Sequence, residues 1–174
     1  MNTLTVRRFM QIDVFTDQPG YGNALAVVLD AQDLTASSMQ RLAAWTNLSE
    51  TSFLLPPDDT TADYKVRIFT PRQELPFAGH PSVGTAFAAM HAGIVTPHDG
   101  KLTQQCAAGL LPLRIEAGWR GPRVHVRAPR ASQRDATAAE REALLAMFPD
   151  QPADRIAASC LVNNGPSWWL VPLE

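Results

Sequence analysis

Two short stretches of the chain carry side chains that could move a proton. Asn47-Leu48-Ser49-Glu50-Thr51 puts a carboxylate where a helical pattern hands over to a strand. Held by backbone near the edge of the core, such a carboxylate can be desolvated into the range of a general acid or base. A structural role competes, because Ser49 and Glu50 can also serve only to satisfy backbone groups at a helix end or strand edge. Phe77-Ala78-Gly79-His80-Pro81-Ser82 opens a second helical pattern. Pro81 suits the first helical position, which makes His80 the expected N-cap. The amides of Ser82, Val83 and Gly84 would then lack intrahelical acceptors and, with the helix dipole, form a site for a carboxylate or phosphate. Gly79 would let backbone approach closely, and His80 adds the side chain that titrates near neutrality. A plain helix cap with a satisfied histidine accounts for the same residues.

Other candidates carry less. Gly20-Tyr21-Gly22-Asn23 lacks the glycine spacing and the Lys-Ser/Thr of a phosphate loop and reads as a turn. His91, His98 and His125 share no metal-ligand spacing with one another or with Cys106 and Cys160, and the two distant cysteines read as reduced thiols. Trp168 and Trp169 read as core or interface anchors. No Ser-His-Asp order, nucleotide fingerprint or metal site is found.

The elements that must position these residues follow from periodicity. Met10, Ile12 and Val14 alternate with Gln11 and Asp13, predicting a strand over 10–15, and a second strand is expected over 24–29. Thr35 is the expected N-cap of a helix with Leu34 and Met39 as its hydrophobic staple and Met39, Leu42, Ala43 and Thr46 on one face. Strands are expected over 51–55 and 64–69, the latter with Tyr64, Val66 and Ile68 on one face. The helix expected over 81–91 is small or apolar on every side and should be surrounded by protein. Beyond it, Leu111, Leu113 and Ile115 alternate, a strand is expected over 124–126, and Thr137 with Glu140 forms a capping box before Leu144, Leu145 and Phe148. Asn164-Gly165 reads as a turn before a strand over 168–171. Short strands around one apolar helix predict a small barrel or curled sheet, with a layered α+β sandwich as the alternative.

Composition bounds the classes. The chain has 174 residues, 45% hydrophobic and 18% charged, with a formal net charge of −2. That excludes a mainly disordered chain and gives no basic footprint for nucleic acid or an anionic membrane. No apolar run approaches the roughly 20 residues that span a bilayer, and the N-terminus lacks a secretory core, so a cytoplasmic protein is expected.

Taken together, QIDVFTDQPGYGNALAVVLDA, WTNLSETSFLLPP, YKVRIFTPRQELPFAGHPSVGTA and NNGPSWWLV resemble the phenazine-biosynthesis isomerase family over nearly the whole chain. The resemblance implies an α+β, diaminopimelate-epimerase-like fold, a curled and mostly antiparallel sheet or barrel around a central helix at about 81–91. It implies two similar halves with the active site between them and no metal or organic cofactor. The founding activity isomerises a dihydro-hydroxyanthranilate by moving a proton. The glutamate of the N-L-S-E-T motif, here Glu50, would be the shuttle, and His80 of the G-H motif its helper. Gly79, Ser82 and Val83 would bind a small carboxylated substrate. The paired cysteines of the sister epimerases and racemases have no counterpart at Gly79-His80. The same resemblance makes 1–160 an N-terminal lobe and 161–174 a crossover segment toward a second lobe that carries the family's catalytic aspartate. The expected partner is therefore a second copy, as a homodimer, or a separate second lobe. The alternative is a non-catalytic binding or assembly module that keeps the lobe and dimerises through its exposed cleft face.

Overall fold

A computed structural model describes residues 5–173. In the first part of the chain, strand alternation builds one curled sheet. The stretch read at 10–15 forms β1 (Phe9–Val14), which turns back antiparallel onto β2 (Asn23–Val28). Thr35 caps α1 (Ala36–Thr46) by accepting from the Ser38 amide. Asn47 ends the helix in the left-handed conformation, φ 54°, which asparagine tolerates better than most residues. The chain re-enters the sheet as β3 (Glu50–Leu55), parallel to β2, followed by β4 (Tyr64–Phe69) and the two-residue β5 (Glu74–Leu75), both antiparallel. Helix α2 (Gly79–His91) crosses to β6 (Lys101–Cys106), parallel to β4. Antiparallel β7 (Gly109–Glu116) and β8 (Arg123–Val126) follow. The two parallel pairs occur where a helix makes the crossover, as the geometry of parallel pairing requires.

The strand path is β1-β2-β3-β4-β6-β7-β8, with β5 off it on β4. Among the described residues β1 pairs only with β2 and β8 only with β7, so the sheet curls without closing. Its period-two faces make two cores. Leu25, Val27, Leu54, Val66 and Ile68 pack inward against Ala86 and Ala89 of α2. Val28, Phe53 and Phe69 pack outward beneath Met39 and Ala43 of α1. Phe53 and Phe69 meet edge to face at 5.5 Å, a geometry that adds about 0.5–1.5 kcal/mol beyond the buried area. This is the α+β curled, mostly antiparallel sheet around a central helix. Gly84 lets α2 come so close: a Cβ there would lie 2.7 Å from Leu25 Cδ2 and 2.8 Å from Val14 Cγ2.

Three expectations need correction. Helix α2 starts at Gly79, and its N-cap is Ala78, with extended backbone at φ −150° and ψ 143°. His80 is therefore the second helical residue. The helix is also not surrounded: Phe87 is 36% exposed, His91 is exposed, and Val83 and Phe87 line the open groove between β1 and β8. An apolar helix in an unclosed sheet keeps one apolar stripe uncovered. Trp168, finally, is exposed and anchors no core.

The second unit begins at Pro129. Its sheet has the order β11-β10-β9, all antiparallel, from β9 (Ser132–Asp135), β10 (Cys160–Asn163) and β11 (Ser167–Leu170). Between them lie α3 (Ala138–Met147), opened by the expected Thr137/Glu140 capping box, and the short α4 (Ala153–Ala157). Residues 160–163 are the central strand here, so this unit combines residues on both sides of position 160. Arg134 lies over the Trp169 ring at 5.6 Å. Cys106 and Cys160 are free, and no helix among the described residues is long and apolar enough to cross a membrane.

Candidate active site

Parallel pairing of β2 with β3 sets Leu25 opposite Glu50, so both strands begin at one end of the sheet. Strand β1, antiparallel to β2, ends there and is followed by Phe15, and α2 begins there with Gly79-His80. Four separate segments thus meet.

Glu50 Oε2 and His80 Nε2 face each other at 3.5 Å, with side-chain exposures of 17% and 9%. Both atoms are buried and neither has a hydrogen-bond partner among the described residues. The other imidazole nitrogen is engaged: the Asn23 side-chain amide donates to His80 Nδ1 at 3.3 Å. The Ser49 hydroxyl in turn donates to Asn23 Oδ1 at 3.2 Å. Burial pushes the His80 pKa below its ordinary value, and the Glu50 carboxylate offsets only part of that. His80 is therefore neutral at neutral pH.

Phe15 approaches the His80 ring at 6.4 Å, at an interplanar angle of 64°. It is 74% exposed, and its φ of 69° is a strained conformation for an aromatic residue, at a cost of about 1–2 kcal/mol.

The start of α2 is tied from within. The Tyr64 hydroxyl donates to Gln104 Oε1 at 3.2 Å, and Gln104 Nε2 donates to Ser82 Oγ at 3.0 Å. The Ser82 hydroxyl donates to the Ala78 carbonyl at 2.9 Å. Burial pushes the Tyr64 phenol pKa up, so it stays a protonated donor.

Of the residues singled out above, the fold brings Glu50, His80 and Gly79 to one place. Ser82 is fully buried with its hydroxyl engaged inward, and Val83 lines the groove between β1 and β8. The expected set of open amides is corrected: the Ser82 amide donates to the Ala78 carbonyl at 3.2 Å. A helix beginning at Gly79 instead leaves the Gly79 and His80 amides without intrahelical acceptors, and Pro81 has none to offer. A Cβ on Gly79 would meet nothing within 4 Å, so none of the described residues makes the close approach expected there. Asn23, Ser49 and Phe15 join the site without having been read as functional. Asn23 sat in a stretch that reads as a turn, and only the parallel register carries it beside Ser49. No group of three or more His, Cys, Asp or Glu among the described residues could hold a metal ion.

The profile of the family described as "Phenazine biosynthesis-like protein" matches residues 12–174. The chain belongs to that family. Among its relatives, "Antisense-enhancing sequence 1" of Schizosaccharomyces pombe is 38% identical over 177 residues, covering 98% of this chain and 58% of its own. The trans-2,3-dihydro-3-hydroxyanthranilate isomerase of Pseudomonas aeruginosa is 43% identical over 111 residues, 64% of this chain and 38% of its own. A solved structure from Pseudomonas aeruginosa described as a "Predicted Epimerase" superposes with a TM-score of 0.78 at 32% identity, over 97% of this chain and 60% of its own. The chain thus spans less than two thirds of these relatives' lengths. The fold is shared with proline-racemase-like proteins.

Proposed function

We propose that this chain is the proton-moving lobe of a cofactor-independent isomerase acting on a small carboxylated metabolite. The observation that carries the reading is Glu50 Oε2 facing His80 Nε2 at 3.5 Å, both atoms buried and neither hydrogen-bonded within the described residues. A carboxylate can take a proton from one carbon and, as the acid it has become, return it to another. Nothing is oxidised or reduced in that sequence, so the chemistry needs positioning and electrostatics alone. His80, neutral through burial, assists as a hydrogen-bonding neighbour. The Gly79 and His80 amides at the positive end of α2 favour a substrate carboxylate or the negative charge that develops as the proton leaves. The open room before Gly79 suits a ligand's approach to those amides. A second lobe, either another copy of this chain or a separate one, would supply the facing wall and exclude water. The alternative reading, a binding or assembly module that dimerises through this face, is favoured by the exposed Phe15 ring beside the pair.

Exchange with solvent separates the two readings. Incubated in D2O with trans-2,3-dihydro-3-hydroxyanthranilate, the substrate named for one relative, the native chain should yield deuterium-labelled isomer. Glu50→Gln should lower the rate at least about 100-fold, the lower end of what a positioned acid–base group supplies. Full turnover by Glu50→Gln refutes the mechanism, and no exchange by the native chain favours the module.

A further inference from the structure

Asn23 and Ser49 take no part in the chemistry above, yet both point into it. A neutral imidazole carries one proton, and the partner of each nitrogen sets where that proton sits. The Asn23 amide nitrogen can only donate, and it lies 3.3 Å from His80 Nδ1. Nδ1 must then present its lone pair, which leaves the proton on Nε2. That nitrogen faces Glu50 Oε2 at 3.5 Å. The opposite amide orientation would bring Asn23 Oδ1 to Nδ1, draw the proton there, and leave the Nε2 lone pair against a buried carboxylate oxygen. Two acceptors facing each other away from water are costly. The Ser49 hydroxyl, donating to Asn23 Oδ1 at 3.2 Å, holds the amide the productive way round.

We infer that Asn23 and Ser49 are positioning residues that hold His80 as its Nε2–H tautomer, so that a donor rather than a lone pair faces Glu50 Oε2. The same tautomer serves both halves of a proton shuttle. Once Glu50 takes a proton on Oε1, its Oε2 still presents a lone pair to Nε2–H. The consequence for Glu50 rests on the acid–base reading proposed for it. The tautomer is a property of the resting chain, so the two ideas fail separately.

The test is long-range 1H–15N NMR of the 15N-histidine-labelled native chain, without substrate, at a pH where His80 is neutral. The expected spectrum shows a protonated Nε2 and a bare Nδ1. Glu50→Gln should keep that pattern, because Asn23 still holds Nδ1. Asn23→Asp should put a proton on Nδ1, since a carboxylate can only accept there. Ser49→Ala in the Glu50→Gln background frees the Asn23 amide to turn and should produce a mixture of the two tautomers. This third variant also decides the matter if Asn23→Asp does not fold. A bare Nε2 in the native chain, a bare Nδ1 in Asn23→Asp, or loss of the Nε2 proton in Glu50→Gln alone overturns the inference. So does an unchanged tautomer in the Ser49→Ala double variant.

Discussion

Gln104→Leu tests how firmly the site-bearing helix is tied to the sheet. Gln104 is fully buried, accepts from the Tyr64 hydroxyl at 3.2 Å and donates to Ser82 at 3.0 Å. Leucine fills a similar volume, so the cavity contribution is small. What is lost is the bond to Ser82, about 1 kcal/mol, and the buried Tyr64 hydroxyl is left without an acceptor at about 1–3 kcal/mol, for a total near 2–4. Tyr64→Phe alone strands Gln104 Oε1 and should cost about 1–3 kcal/mol. The double variant strands neither group, because only the bond Ser82 accepts is missing, at about 1 kcal/mol. Adding Tyr64→Phe to Gln104→Leu should therefore restore about 1–3 kcal/mol, where independent sites would lose more. Urea denaturation of the four proteins reads this directly. With a slope of about 2 kcal/mol per molar, the midpoint should recover by roughly 0.5–1.5 M. A double variant as unstable as the sum of its singles would show that the buried relay does not couple these positions.

Two further outcomes concern the same helix. Gly79→Ala and Gly84→Ala make the same change on α2 but should shift thermal stability in opposite directions. At position 79 the new methyl meets nothing, so helix propensity gains up to about 1 kcal/mol, whereas at position 84 contacts of 2.7 and 2.8 Å cost about 1–3 and exceed that gain. A stabilised Gly84→Ala would contradict the packing described. The second concerns pH: the fold lowers the His80 pKa below 6.5, so the unfolded chain takes up a proton that the folded site resists. Stability from this group is complete above pH 6.5 and is lost as pH falls through the folded value, with a slope of at most about 1.4 kcal/mol per pH unit. Asp30 and Glu140, held at about 2 by Arg8 and Arg134, lose their contributions only at lower pH. His80→Asn should flatten the profile in the upper window, and an unchanged slope there would mean that His80 does not report on folding.

Local rules made much of the fold legible. The caps at Thr35 and Thr137 use side chains that reach amides three residues on, so a few neighbouring letters suffice. The alternation of Tyr64, Val66 and Ile68 reflects one face of one strand. β6 was not legible, because Gln104 puts a polar residue at an inward position and breaks the apolar pattern; its partners Tyr64 and Ser82 are 40 and 22 residues away. The N-cap of α2 misled for a related reason. His80-Pro81 satisfies the local rule, whereas the relay through Gln104 and Ser82 reaches the carbonyl of Ala78, which has no capping side chain at all.

For the site, the residue types alone supplied Glu50 and His80 as groups able to handle a proton, and the motifs around them pointed to the family. Their chemistry is written in the side chains and needs no neighbours to be recognised. What those two groups can do together was decided by tertiary structure. The parallel register of β2 and β3 brings Asn23 to Ser49, the start of α2 sets His80 Nδ1 against Asn23 and Nε2 against Glu50, and burial lowers the imidazole pKa. Distances of 3 to 4 Å between residues 26 to 57 positions apart belong to the folded chain, because no local preference can encode them.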